Sequence, residues 1–159
     1  MRRVKNGTTI QDVRTVFEAD LLKTLEGPTS GRLFVDRGDD IHNAFMWQLD
    51  FFNPNPSVKR STSSIGVMTV VPLNLPADIR YKPEYVYAVV IPGPVTPKLD
   101  SINHSMCPIM DHFVNGWYQG FQLPRTGSHN EGRKVIIAVP VSANDLPAAL
   151  AWSTSPLHH

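Results

Sequence analysis

Residues 45–54, F-M-W-Q-L-D-F-F-N-P, set the tightest constraint on the fold, because one carboxylate, Asp50, sits inside an aromatic and aliphatic run. Residues 44–52 have the character of a central strand, and Asn53 and Pro54 end it, since proline cannot continue a hydrogen-bonded ladder. An ionised Asp buried without a partner or a metal costs several kcal/mol. The sequence therefore predicts that Asp50 faces a polar cleft.

With 159 residues, of which 42% are apolar, the chain makes one domain with a real core. Its net charge of +1 excludes a global field for nucleic acid or membrane, so any such contact must be local. A single cysteine, Cys107, excludes an internal disulfide and a cysteine-based zinc cluster. No apolar run reaches the ~20 residues that span a bilayer, and no hydrophobic segment follows the charged start. The expectation is a soluble protein that is not secreted. Prolines and glycines fall singly between apolar runs and act as punctuation.

The periodicity predicts an amphipathic helix over 10–24, ending before Gly27 and Pro28, then a short strand around Leu33, Phe34 and Val35. Asp36, Asp39 and Asp40 form an acidic turn that lacks the alternating oxygen ligands of a calcium loop. Apolar runs at 65–73 and 85–91 supply the second and third strands, joined to their neighbours by polar connections as in an antiparallel meander. Thr96 and Pro97 start a helix. Its apolar face carries Ile102, Met106, Ile109, Met110, Phe113 and Trp117, and Pro108 should kink or break it. Residues 120–132 read as a loop with one short extended piece, 134–141 as the fourth strand, and 147–152 as the start of another helix. Residues 1–43 are then a lead-in and 44–159 the domain proper, of mixed α/β class.

In this layout a crossover returns the fourth strand beside the first, which brings Asp145 to the sheet end that holds Asp50. Two converging carboxylates suit Mg²⁺ or Mn²⁺. Capping explains the same residues equally simply, with Asn53 closing a turn and Asp145 as N-cap of the last helix.

The motifs themselves extend the reading. L-D-F-F-N-P at 49–54, L-N-L-P at 73–76, R-Y-K-P-E at 80–84, I-P-G-P at 91–94, I-N-H at 102–104, G-R at 132–133 and N-D-L-P-A at 144–148 occur in order over roughly residues 25–149. In this the chain resembles the catalytic region of CACTA-type (En/Spm-like) DNA transposases, in their fungal version. The resemblance implies a partial ribonuclease-H-like sheet of three antiparallel strands, a helix and a fourth strand parallel to the first. It also implies that Asp50 and Asp145 are catalytic, metal-binding residues holding Mg²⁺ or Mn²⁺. The implied partner is DNA at the transposon ends, with a nuclear location and a homo-oligomer in the complete protein.

The chain departs from that family in three ways. The third acidic residue of a DDE enzyme lies on a later helix that this sequence does not reach, and the family's following cysteine-bearing segment is missing. On the central helix, Cys107 and the pair Asp111-His112 stand where relatives carry basic and paired acidic residues. The expectation is a truncated transposase fragment, inactive as it stands, with a non-catalytic remnant that binds DNA or a partner protein as the alternative. His104, Cys107, Asp111 and His112 read as helix surface rather than a zinc or nucleophile site, since the thiol has no stated base. Lys59, Arg60, Arg80, Lys82, Arg125 and Arg133 are candidate phosphate contacts. Trp47, Trp117 and Trp152 read as packing, and Asn103 as a helix-surface hydrogen-bonding residue.

Overall fold

Residues 41–52 alternate strictly enough to bury two different faces, and this alternation organises the computed structural model, which describes residues 4–5, 8–9, 15–54, 64–93 and 99–144. The strand β1 (Ile41–Phe52) lies at the centre of a five-stranded mixed sheet. It pairs antiparallel with β2 (Ile65–Pro72), which pairs antiparallel with β3 (Tyr87–Ile91). The helix α2 (Leu99–Tyr118) then crosses the sheet and leads to β4 (Phe121–Leu123) and β5 (Arg133–Ser142). β5 runs parallel to β1 and β4 antiparallel to β5, so the order is β3-β2-β1-β5-β4. The expected meander, helix and parallel return are all present.

Alternation gives the sheet two unequal faces. Trp47 and Leu49 of β1, Met68 and Val70 of β2 and Ile91 of β3 are buried under Ile102 and Met106 of α2, with Phe45, Phe113 and Ile109 beside them. Burying side chains of this size contributes about 1.5–3 kcal/mol each. On the opposite face, Ala44, Ile136 and Ala138 are covered by Leu22 and Phe34. Residues before position 44 are therefore part of the packed core, and β1 itself begins at Ile41.

Local structure departs from expectation in four places. The helix expected over 10–24 is a 3-10 turn at Val16–Glu18 followed by the five-residue α1 (Asp20–Thr24), while 10–14 lie outside the described residues. An extended Ala19, with ψ 136, separates the two pieces, so burial of Leu22 rather than helical propensity fixes this segment. The strand at 33–35 reduces to a single bridge between Leu33 and Glu26, followed by turns closed by Asp36 N–H on Leu33 and Asp40 N–H on Arg37. The third strand starts at Tyr87, because Tyr85 N–H closes a turn on the Lys82 carbonyl. Of the kink or break expected at Pro108, the break does not occur, and α2 is one helix through it. Its proline and His104 are exposed, so water can serve the His104 carbonyl that lost its donor. Thr96, Pro97 and the predicted helix at 147–152 lie outside the described residues.

Candidate functional site

Asp50 pairs with Val67 across the β1–β2 ladder, near the end of β1. Its parity places it with Gln48 and Phe52, on the face opposite α2. That face is covered by Leu22 and Phe34 only at the start of β1, and Gln48, Asp50 and Phe52 are exposed. Asp50 is therefore exposed to solvent on the sheet face opposite α2. An acidic residue in an apolar run is tolerated because only the other parity of that run is buried.

The parallel return brings the end of β5 to this place. The β1–β5 register runs from Ile41 with Val135 to Trp47 with Ser142, with a shift between Ala44 and Met46. Beyond Ser142, Ala143 N–H donates to the Trp47 carbonyl at 2.9 Å, and Leu49 N–H donates to Asn144 Oδ1 at 2.8 Å. Asn144 Nδ2 donates to Ser142 Oγ at 2.5 Å, which fixes the amide's orientation. The residue before Asp145 is thus tied to the residue before Asp50. Asp145 itself lies outside the described residues.

A second asparagine does the same at the other end of β1. Asn74 Oδ1 accepts from Ala44 N–H at 2.7 Å, and Asn74 Nδ2 donates to the His42 carbonyl at 3.0 Å. Leu73 N–H reaches the Ala44 carbonyl at 2.8 Å. Side-chain amides continue the pairing of β1 where neighbouring backbone turns away. Sequence reasoning noticed L-N-L-P and N-D-L-P but gave neither asparagine a role. The available signal was an Asn two residues past the end of an apolar strand, in both motifs.

Asn144→Leu should cost about 1–3 kcal/mol, the penalty for leaving the partly buried Leu49 N–H without an acceptor. Asn144→Asp keeps an acceptor and should cost less. Thermal denaturation of the two variants, with amide exchange at Leu49, checks the order.

The remaining candidates stay apart from Asp50. His104, Cys107, Asp111 and His112 are exposed on α2, and no group of three His, Cys, Asp or Glu side chains among the described residues could hold a metal. Trp47 is buried under α2 and Trp117 stacks on Phe34 at 5.7 Å, both as packing. Arg133 donates to His129 Nε2 at 2.7 Å. Arg80 is partly buried, and its Nε has no hydrogen-bond partner among the described residues. Lys82 and Arg125 are exposed, whereas Lys59, Arg60 and Trp152 lie outside the described residues. No helix of the described residues is long and apolar enough to cross a membrane. Comparison with protein-family models, curated proteins and solved structures finds no match.

Proposed function

We propose that this chain is part of the catalytic region of a CACTA-type DNA transposase, with a ribonuclease-H-like sheet in which Asp50 and Asp145 are two of the carboxylates that serve cutting and joining of DNA strands. The observation that carries the reading is the Leu49–Asn144 hydrogen bond, which delivers the residue before Asp145 to the strand bearing Asp50. The strand order and the parallel pairing of β1 with β5 support it. DNA ends as partner, assembly of the complete protein into an oligomer and a nuclear location belong to the same proposal.

The ions implied, Mg²⁺ or Mn²⁺, activate a water and stabilise the leaving oxygen in such chemistry. Asp50 suits them as an exposed hard oxygen ligand, but one carboxylate is not a site, and the described residues form no group of three His, Cys, Asp or Glu side chains around it. The reading assigns the remaining positions to Asp145 and to a further acidic residue of the family's domain. What the chain's own residues do is hold those carboxylates: β1 carries Asp50 on a central strand, and Asn144 fixes where β5 ends.

A Mn²⁺ titration followed by paramagnetic broadening of amide signals tests this. Broadening should centre on residues 48–52 and their β2 partners, and Asp50→Asn should remove it without changing the thermal midpoint. Broadening that ignores the substitution, or none at all, would sink the reading. The second reading, a non-catalytic scaffold that binds a partner, draws on the 48% exposure of Phe52 and 63% exposure of Val90 near the same sheet end. It predicts no Asp50-dependent broadening.

A further inference from the structure

At the opposite end of the sheet, where β1 and β5 begin, loop 27–40 and the end of α2 border a small, partly open recess of about 70 Å³. Three cationic side chains line it from separate positions, Arg32 and Arg37 on the loop and Lys134 on β5, together with Tyr118 of α2, His42 of β1, and Asp36 and Asp40. We propose that this recess binds a proton-bearing phosphate, either inorganic phosphate or the terminal group of a phosphate monoester. The inference stands independently of the transposase reading, which concerns the other end of β1.

Among the described residues, no carboxylate forms an ion pair with any of these cations. Arg32 donates to the Asp36 main-chain carbonyl at 3.0 Å, leaving its remaining N–H groups available. The Arg37 guanidinium carbon lies 4.7 Å from the centroid of the Phe17 ring, an arrangement that holds the group by cation–π attraction while its N–H edges stay free. The stem of Lys134 runs past Gly120, where a Cβ would come within 2.6 Å of Lys134 Cε, so the glycine leaves the lysine its path. Among the described residues the ion pair is Lys23 with Asp20, and none links Arg32, Arg37 or Lys134 to Asp36 or Asp40.

His42 gives the recess a fixed wall. It is 7% exposed, and Nδ1 lies 2.5 Å from the Phe34 carbonyl. A carbonyl only accepts, so Nδ1 carries the proton and Nε2 is the ring's remaining polar atom. A divalent cation would meet three positive side chains here, and the described residues hold no metal-ligand group of three. A tetrahedral anion with several acceptor oxygens matches donors arriving from the loop, β5 and α2.

Asp36 and Asp40 decide which anion. Ionised carboxylates are acceptors only, so they repel a ligand with no hydrogen to give. A phosphate monoester, with a second pKa of about 6, retains an O–H in part of its population near neutrality, and inorganic phosphate retains one in a larger part, whereas sulfate and a nucleic-acid diester are fully deprotonated. The recess should therefore prefer phosphate and monoesters to sulfate and to DNA.

The test is an amide-shift titration with inorganic phosphate, methyl phosphate, sulfate and a short DNA duplex, at constant ionic strength and near-neutral pH. Saturable shifts should map to residues 27–42, 118 and 134, with sulfate about tenfold weaker or worse. Arg37→Gln and Lys134→Gln should each weaken phosphate binding about tenfold, and Asp40→Asn should erase the preference over sulfate. Tyr118 is 69% exposed, so Tyr118→Phe leaves the fold intact and should still weaken binding measurably. Equal responses to phosphate and sulfate in the unaltered protein, shifts centred elsewhere, saturation by the duplex at these residues, or binding indifferent to Lys134→Gln would each overturn the assignment.

Discussion

Replacing Phe34 with alanine is expected to destabilise the protein by about 3–5 kcal/mol, the range for removing a large buried aromatic side chain. Phe34 is fully buried, with Leu22, Ala44 and Ile136 in its cluster. Its ring stacks at 4.8 Å on His42, 5.7 Å on Trp117 and 6.3 Å on Phe17, so one side chain joins β1, α2 and the 3-10 turn. Loop 27–40 is otherwise held largely by backbone hydrogen bonds, among them Phe34 N–H on the Leu25 carbonyl at 2.8 Å beside the Glu26–Leu33 bridge. Small domains have only about 5–15 kcal/mol in total, so the loss is a large share of it. Urea unfolding should show a lower midpoint at nearly constant slope. The neighbouring Leu33 is 38% exposed, and Leu33→Ala should cost well under half as much. Equal costs for the two would mean that the loop is not anchored through the ring. Because Phe34 also positions His42, its removal should open the phosphate recess as well.

The parts of the fold legible in the sequence are those where burial has a simple period. The apolar run that became β1, the β-branched runs of β2 and β5, and the three-and-four spacing of α2 each report a face packed against something large. Their order fixed the meander and the parallel return. The lead-in was misread, because its buried anchors Leu22 and Phe34 are single residues, and the apparent helical period around Leu22 does not correspond to a continuous buried face. The exposure of Asp50 was not legible either. The reading assumed that both faces of a central strand are covered along its length, whereas Leu22 and Phe34 cover the second face only near His42 and Ala44. Asn144 escaped notice because its function depends on register. Which N–H of β1 lacks a strand partner is decided by where β5 stops pairing, a fact carried by contacts far apart in sequence.

Gly132 is where that register begins, and Gly132→Ala is expected to cost about 2–5 kcal/mol. The residue has φ +75, a left-handed conformation that costs a side-chain-bearing residue about 1–2 kcal/mol. A Cβ there would stand 1.9 Å from the Leu123 carbonyl oxygen and 2.7 Å from the Pro124 carbonyl carbon, both backbone atoms without a rotamer escape. Relieving such overpacking adds about 1–3 kcal/mol. The chain can respond only by separating β4 from β5 at the Leu123–Arg133 pair or by moving the start of β5. The second route shifts the strand that pairs with β1 from Val135 to Ser142, and so displaces Ala143 from Trp47 and Asn144 from Leu49. The variant should therefore show a lowered unfolding midpoint and faster amide exchange at Leu49, at the far end of the sheet from the substitution. Gly127→Ala, in the same connection but with open space around its Cβ and no positive φ, should leave both measurements unchanged. Unchanged exchange at Leu49 in Gly132→Ala would show that the tie beside Asp50 is set locally by Asn144, independently of where β5 starts.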